Sequence, residues 1–398
     1  MKAEAKMTEV NSTAAAAASA APALFEELTT DNGKRIGIAT LNVEKTLNAI
    51  SLEMVDLLDQ QLRAWAADPQ LSMVVLQAAG EKAFCAGGDL QGLYRTMLDQ
   101  HAAGGKEDIR SNTYACDFFE REYRLDYLIH TYPKPILAWG HGIVMGGGIG
   151  LMAGASHRVV TEKSRLAMPE ITIGLYPDVG GTWFLNRMPG QIGLFLALSG
   201  ASIGAADAIF ARLADHQISH AQKQAVIAAL LTQPWDGKQD DVLLSRVLQH
   251  AERQDAETRV PGPTPLHQHF ELINQLCSAP TLAEVVSNIV ELKTEDPWLQ
   301  KGIATLVAGS PASAWLSHAL QKRARHMSLA EVFRLEYVVS LHCAARTDFA
   351  EGIRALIIDK DRQPRWQPAT LAAVTDDWGN GFFDNPWSET DHPLADLV

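Results

Sequence analysis

Apolar positions in the first half of the chain alternate between short continuous runs and longer stretches with helical spacing. The runs Arg35–Leu41 and Met73–Ala78 predict strands, the second of them buried on both faces. Between them, apolar residues recur three to four positions apart, which predicts an amphipathic helix over 51–67 with Ser51 as its N-cap. Pro133–Trp139 and His157–Thr161 predict further strands. Strand, glycine-containing loop and helix therefore recur, which indicates an α/β domain.

The second half of the chain has a different pattern. After about residue 200 amphipathic helical patterns dominate, including Leu282–Leu292, Ala312–Ala324 and Leu329–Ala345. We therefore expect a disordered extension over 1–23, an α/β core over 24–245 and a mainly helical C-terminal region over 246–398.

Composition narrows the class of protein. The 398 residues include 34 Lys+Arg against 47 Asp+Glu, for a net charge of −13, so we expect no nucleic-acid partner. The four cysteines are scattered without a CxxC pair, which favours a reducing compartment and argues against a zinc or disulfide scaffold. No apolar run reaches the roughly 18–20 residues that cross a bilayer. The N-terminus also lacks the basic start of a signal peptide. We therefore expect a cytoplasmic protein that does not bind membranes.

Two glycine-rich loops lie where apolar strands lead into helices, Phe84–Asp89 and Met145–Gly148. Backbone N–H groups at such turns can converge on a negatively charged oxygen, because glycine leaves no side chain in the way. Either loop taken alone is equally compatible with a plain tight turn.

Two carboxylates follow the second loop, Glu170 and Asp178, and each comes directly after a proline in apolar surroundings. Burial raises the pKa of a carboxylate, which prepares it for proton transfer or nucleophilic attack. The alternative is that each residue only caps a helix or a turn.

Together, these segments resemble the crotonase (enoyl-CoA hydratase/isomerase) superfamily in their order, their spacing and their amino-acid sequences. The resemblance implies a crotonase-type ββα spiral as the CoA-binding core over 24–245. It also implies that the N–H groups of Gly88 and Gly147 bind the oxygen of a thioester. Hydratases of the superfamily carry a glutamate two positions past the third glycine of the second loop, where this chain has Gly150.

The motif sequences are instead similar to those of the 3-hydroxyisobutyryl-CoA hydrolase branch, over about 24–375. The residues that carry this resemblance are KAFCAGGD from Lys82, HGIVMGGGIGL from His141, AMPEITIGLYPDVGG from Ala167, and DFAEGIRA, IDKD and PRW between Asp348 and Trp366.

The branch implies a hydrolase of short 3-hydroxyacyl-CoA thioesters, with 3-hydroxyisobutyryl-CoA of valine catabolism as the expected substrate. Its substrate contacts fall on Glu122, Gly147, Glu170 and Asp178, with Glu170 and Asp178 catalytic and helped by Gly88 and Gly147. We expect no cofactor beyond the CoA of the substrate and no metal, and a homo-oligomer is possible. The alternative for Glu122 is a solvated charge on a helix.

Two other functions remain open: an enoyl-CoA isomerase or hydratase of the same superfamily, and a non-catalytic protein that binds acyl-CoA. Among other side chains, we interpret Cys85 as a small buried residue rather than a nucleophile. We interpret His216 and His220 as a surface pair rather than metal ligands. Candidate partners for the CoA phosphates are Lys45, Lys82, Lys360 and Arg365.

Overall fold

The computed structural model describes residues 21–105 and 108–398. The extension expected over 1–23 therefore lies largely outside the described residues. The first strand begins at Ala23, and the backbone carbonyl of Pro22 already accepts a hydrogen bond from the Asn42 N–H at 2.8 Å.

Strands are confined to the first 217 residues, and helices occupy most of the remainder. The strands are β1 Ala23–Thr29, β2 Arg35–Leu41, β3 Leu71–Ala78, β4 Ala83–Cys85, β5 Ile136–Gly140, β6 Ile143–Met145, β7 His157–Val160, β8 Arg165–Ala167 and β9 His216–Gln217. The α-helices are α1 Leu52–Ala67, α2 Leu90–Ala102, α3 Thr113–His130, α4 Gly147–Ala153, α5 Gly181–Leu185, α6 Ile192–Ser199, α7 Ala205–Phe210, α8 Lys223–Leu231, α9 Asp240–Ala256, α10 Pro265–Gln268, α11 Phe270–Cys277, α12 Leu282–Glu291, α13 Pro297–Ala308, α14 Pro311–Arg323, α15 Leu329–Ala345, α16 Thr347–Ile353 and α17 Asp376–Asn380.

The larger sheet has six strands in the order β1-β2-β3-β5-β7-β9. β1 pairs antiparallel with β2, and every other pair in the sheet is parallel. The strands β3 and β5 are buried along nearly their whole length, as the continuous apolar run predicts for parallel strands covered on both faces.

A smaller sheet has three parallel strands in the order β4-β6-β8. Along the chain, β3 is followed by β4, β5 by β6 and β7 by β8, and helical residues follow each pair. One strand of every pair joins the large sheet and the other joins the small sheet. This repeated strand–strand–helix unit is the ββα spiral expected from the sequence, so the predicted fold class is confirmed.

Two apolar clusters lie on opposite faces of the large sheet. Leu76 and Ala138 belong to the main cluster, whereas Val75 and Leu137, their neighbours along the strands, belong to the second. This alternation follows from the two-residue period of a strand. Helix α9 covers the second face with Leu244 and Leu248, so the boundary expected at 245 falls inside a helix that packs on the sheet.

The C-terminal helices close over the side of the core that carries α3. Helix α15 packs along α3, and most of its residues from Ala330 to Ala345 are buried. A capping box at Ser328 and Glu331 fixes where α15 begins. No helix in the described part of the chain is long and apolar enough to span a bilayer.

Candidate active site

The candidate residues follow the three strands of the small sheet. Gly87–Gly88 come after β4, Gly146–Gly147 after β6, and a 3₁₀ turn over Glu170–Ile173 after β8. Because parallel neighbours end at the same edge of a sheet, these three loops meet there. The spiral therefore brings residues 88, 147 and 170 together although they are far apart in sequence.

The loops enclose a cavity of about 210 Å³. Its walls are mostly apolar, with three carboxylates, Glu122, Glu170 and Asp178, among the lining residues. The apolar part of the wall includes Leu90, Leu93, Phe118, Phe119, Met145, Leu175, Val179, Phe349, Leu356 and Ile357. A concave apolar cavity with a few convergent polar groups is typical of a small-molecule site.

The two glycine loops approach each other closely. A Cβ atom on residue 147 would lie 3.6 Å from the Gly88 nitrogen, and a Cβ atom on residue 87 would lie 3.8 Å from the Gly147 nitrogen. Neither the Gly88 nor the Gly147 N–H donates a hydrogen bond to another group within residues 21–105 and 108–398. Gly147 is the first residue of α4, where helical N–H groups have no partner inside the helix. Two such groups can bind one oxygen atom between them.

Glu170 lies beside the second loop. Its Oε1 atom is 3.0 Å from the position that a Cβ atom on Gly146 would occupy, and its side chain is 4% exposed. Its Oε2 atom has no hydrogen-bond partner in the described part of the chain. Burial, and then the charge of Asp178, raise the pKa of Glu170 well above its ordinary value. No side-chain hydrogen bond caps the turn over Glu170–Ile173, so the structure gives no support to the alternative in which Glu170 only caps a helix.

Glu170 is held in place by the turn that carries it. Gly174 ends the turn with a φ of +74°, and its N–H bonds back to the Glu170 carbonyl. A Cβ atom at 174 would lie only 2.3 Å from the Asp348 carbonyl oxygen, so the turn sits directly on α16.

Glu122 reaches the same point from α3. Its Oε1 atom lies 2.7 Å from the position of a Cβ atom on Gly147, and its side chain is 3% exposed. Burial, and then the charge of Asp178, raise the pKa of Glu122 well above its ordinary value. The interpretation of Glu122 as a solvated helical charge is therefore wrong.

Asp178 is the third carboxylate of the cavity and is 5% exposed. Its Oδ2 atom accepts a hydrogen bond of 2.8 Å from the hydroxyl of Tyr123. Burial raises the pKa of Asp178 to about 6, although the Tyr123 hydrogen bond opposes the increase.

Behind Asp178 lies a set of buried polar groups that sequence reasoning missed. The Tyr123 hydroxyl is 2.7 Å from the Ser340 hydroxyl, which is 2.9 Å from the Tyr176 hydroxyl. Tyr176 in turn donates to the Glu336 backbone carbonyl at 2.8 Å. The available signal was Ser340 itself, a polar residue within the apolar run Val338–Leu341.

The Glu336 carboxylate, also on α15, supports the residues just after Asp178. It accepts hydrogen bonds from the N–H groups of Gly180 at 2.7 Å and Thr182 at 2.9 Å. These groups belong to the N-terminal end of α5, where a carboxylate is favoured by the helix dipole. Burial nevertheless raises the pKa of Glu336 to about 8.

Position 150, where hydratases carry an acid, is packed against other groups. A Cβ atom on Gly150 would lie 2.7 Å from the Val179 Cβ and 3.0 Å from Asp126 Oδ2. Asp126 lies one helical turn beyond Glu122, is fully buried, and neither of its oxygens has a hydrogen-bond partner in the described residues. Burial, and then the charge of Glu122, raise the pKa of Asp126 well above its ordinary value.

The other candidate side chains lie outside this arrangement. Cys85 is fully buried, and burial raises the pKa of its thiol to about 12, as expected for a packing residue. His216 contacts Glu252, and His220 accepts a hydrogen bond from the Trp139 indole. The four cations proposed for CoA phosphates are all exposed, and their role stays a prediction: Lys45, Lys82, Lys360 and Arg365.

Comparison with known proteins gives the class to which this fold and site belong. The model of the enoyl-CoA hydratase/isomerase family matches residues 36–383, and the chain belongs to that family. Its relatives include the 3-hydroxyisobutyryl-CoA hydrolase of Gallus gallus, 38% identical over 87% of this chain and 86% of the relative. The Homo sapiens enzyme of the same name is 34% identical over 90% of this chain and 88% of the relative. The resemblance to this hydrolase branch is therefore confirmed.

A solved structure shares the fold over nearly the whole chain. It is described as an enoyl-CoA hydratase from Rhodobacter sphaeroides, is 34% identical, and has a TM-score of 0.75. The match covers 91% of this chain and 97% of the other.

The predicted cytoplasmic location is wrong. Both curated relatives are named as mitochondrial proteins, which conflicts with it. The argument from scattered cysteines indicated only a reducing environment, which does not identify one compartment.

Proposed function

We propose that the protein hydrolyses the thioester of a short 3-hydroxyacyl-CoA, with 3-hydroxyisobutyryl-CoA, an intermediate of valine catabolism, as its substrate. The observation that carries the proposal is the meeting of two N–H groups, of Gly88 and Gly147, with the Glu170 carboxylate in one cavity, where neither N–H has a hydrogen-bond partner among the described residues. The relatives named as 3-hydroxyisobutyryl-CoA hydrolases support the choice of substrate.

In this mechanism the two N–H groups bind the thioester oxygen. That oxygen gains negative charge as the carbonyl carbon becomes tetrahedral, so donors aimed at it lower the barrier. Losing one such donor typically costs roughly 3–4 kcal/mol. Glu170 either removes a proton from the attacking water or attacks the carbon itself to form an acyl anhydride.

Asp178 and Glu122 are the proposed partners of the substrate's 3-hydroxyl group. Both are buried carboxylates on the cavity wall, and Asp178 already accepts one hydrogen bond from Tyr123. A substrate without that hydroxyl would leave the remaining carboxylate oxygens unmatched. Sites built to bind a hydroxyl reject analogues that lack it for this reason.

Packing at position 150 argues against hydration of an enoyl-CoA. Hydratases of the family use an acid at that position, and here Val179 and Asp126 leave no room for one. The name of the Rhodobacter sphaeroides structure is therefore weaker support for this chain than the names of the curated relatives.

The test is a free-thiol assay with separate 3-hydroxyacyl, 2-enoyl and 3-enoyl thioesters of CoA. We expect CoA release from the 3-hydroxyacyl substrate, with 3-hydroxyisobutyryl-CoA used fastest. Shifted double bonds without CoA release would identify an isomerase, and tight binding without any product would identify a non-catalytic binder.

A single turnover in oxygen-18 water separates the two roles of Glu170. Label in the Glu170 carboxylate favours attack by Glu170, and the absence of label there favours attack by water. Glu252→Gln is the matched control, because Glu252 is a partly buried carboxylate bonded to His216, outside the cavity. It should keep wild-type turnover.

A further inference from the structure

The hydrogen-bond chain behind Asp178 has more contacts than hydroxyl hydrogens. It consists of four contacts, Asp178–Tyr123, Tyr123–Ser340, Ser340–Tyr176 and Tyr176 with the Glu336 carbonyl. Each of the three hydroxyl groups supplies one hydrogen. All three are fully buried. With Asp178 ionised, three hydrogens must therefore serve four contacts, and one contact has no hydrogen.

A protonated Asp178 supplies the missing hydrogen. The carboxyl then donates to Tyr123, Tyr123 to Ser340, Ser340 to Tyr176, and Tyr176 to the Glu336 carbonyl. Every contact then has a hydrogen. An unsatisfied buried polar group is costly, so the chain favours the protonated form of Asp178.

Asp178 shares the cavity with Glu170, and each affects the ionisation of the other. The charge of Asp178 is the second cause, after burial, of the raised pKa of Glu170. Two buried carboxylates that interact in this way hold one proton more readily than they hold none, and the proton belongs to the pair. A structural feature must then determine which of the two carries it.

We propose that the Tyr123–Ser340–Tyr176 chain places the shared proton on Asp178 and leaves Glu170 as the ionised, reactive carboxylate. Tyr123, Ser340 and Tyr176 are positioning residues in this scheme, because they act through Asp178. The inference deepens the proposed thioester hydrolysis and rests on it for its catalytic meaning.

Every proton is accounted for in the mechanism in which Glu170 removes a proton from the attacking water. Water gives a proton to Glu170 as its oxygen bonds to the carbonyl carbon. The carbon–sulfur bond breaks, and the sulfur takes the proton of Asp178 to leave as the CoA thiol. Transfer of a proton from Glu170 to Asp178 then restores the resting pair.

The groups that face Asp178 are all acids. They are Glu122, Tyr123 and Asp126 on α3, Glu170 and Tyr176 on the preceding turns, and Glu336 and Cys343 on α15. A negative charge on any of the neighbouring carboxyls favours a neutral Asp178, in the same direction as the chain. Burial raises the pKa of Asp178 to about 6, whereas burial and the charge of Asp178 raise the pKa of Glu170 well above its ordinary value. Burial and charge alone would therefore leave the shared proton on Glu170, and the hydrogen-bond chain must reverse that order.

The scheme makes an unusual prediction for two conservative variants. In Tyr176→Phe, two contacts remain for the hydrogens of Tyr123 and Ser340, so ionised Asp178 is fully satisfied. In Ser340→Ala, Tyr123 donates to Asp178 and Tyr176 to the Glu336 carbonyl, with the same result. Either change should therefore make Asp178 easier to ionise, although neither alters its direct partner.

The measurement is a carbon-13 titration of labelled aspartate and glutamate carboxyls in the free full-length protein, assigned with Asp178→Asn and Glu170→Gln. In the wild type we expect the Asp178 midpoint above that of Glu170. In Tyr176→Phe and in Ser340→Ala we expect it to fall by about one pH unit, the size of one lost hydrogen bond. Tyr132→Phe, which removes a hydroxyl bonded to Leu62 away from the site, is the matched control and should leave it unchanged.

The pH dependence of kcat/KM tests the catalytic consequence. In both variants Asp178 ionises more easily, so the proton of the singly protonated pair moves toward Glu170 and the reactive carboxylate is lost. The maximum of kcat/KM against pH should therefore fall about tenfold in both variants. Midpoints that do not move in either variant, or a wild type with the proton on Glu170, would overturn the inference. A protein that shows the Asp178 shift but releases no CoA from any thioester would disprove the proposed function and leave the proton placement intact.

Discussion

Replacing Glu170 with glutamine should change activity and stability in opposite directions. The amide keeps the shape of the side chain but can neither accept a proton from water nor attack the thioester. Loss of such a group typically lowers the rate by 10²–10⁴, so we expect turnover to fall at least about a hundredfold, or about 2.7 kcal/mol of barrier.

The gain in stability follows from the burial of Glu170. Its side chain is 4% exposed, and burial with the nearby charge of Asp178 raises its pKa in the folded state. A folded pKa above the unfolded value contributes stability that is complete below the unfolded pKa and is lost as the pH rises through the folded pKa. At pH 8, Glu170→Gln removes this loss, and we expect about 1 kcal/mol of stabilisation, roughly 1–2 °C in Tm for a chain of 398 residues.

Two measurements check the reasoning, CoA release under saturating substrate and thermal unfolding at pH 4 and pH 8. The Tm difference between Glu170→Gln and the wild type should be clear at pH 8. It should be small at pH 4, where Glu170 is protonated in the folded state and mostly protonated in the unfolded state. Near-normal turnover would remove Glu170 from the mechanism. A lower Tm at pH 8 would refute the argument from burial.

Three further variants test neighbouring groups. Gly147→Ala puts a Cβ atom 2.7 Å from Glu122 Oε1 and 2.9 Å from Ile50 Cδ1, so it should cost at least about a hundredfold in kcat/KM by displacing the proposed oxyanion donor; wild-type kinetics would show that this N–H is not used. Asp178→Asn cannot carry the carboxyl proton and should impair CoA release, whereas unimpaired release would make Asp178 structural. Asp126→Asn removes a fully buried carboxyl whose pKa is raised, so its advantage in unfolding free energy over the wild type should grow from pH 4 to pH 8; a difference independent of pH would contradict this.

Local signals predicted the elements well. The helix expected from Ser51 onward is present as Leu52–Ala67, and the Ser51 side chain accepts a hydrogen bond from the Met54 N–H. The strand Arg35–Leu41 has the predicted bounds. Both depend on periodicity and capping within a few residues, which a single sequence displays directly.

The site was predicted only in part, because part of it depends on distant residues. The two glycine loops and Glu170 were identified from their sequence motifs, and the structure brings them together in one cavity. The contact between Tyr123 and Ser340 joins residues 217 positions apart, and nothing in the sequence near Tyr123 indicates that partner. Asp126 was missed because a carboxylate on a helix is ordinarily solvated.

Because the chain is synthesised from its N-terminus, the hydrogen bond between Tyr176 and Glu336 cannot form until well after Tyr176 has been made. These residues are 160 positions apart, so at about 5–20 residues per second the ribosome needs roughly 8–32 s between them. From the addition of Asp178 until the addition of Ser340, a nascent chain has both glycine loops and Asp178 but lacks Ser340. The hydrogen-bond chain behind Asp178 is therefore completed late in translation, and a polypeptide released before that point would lack Ser340, one of the two partners of the Tyr123 hydroxyl.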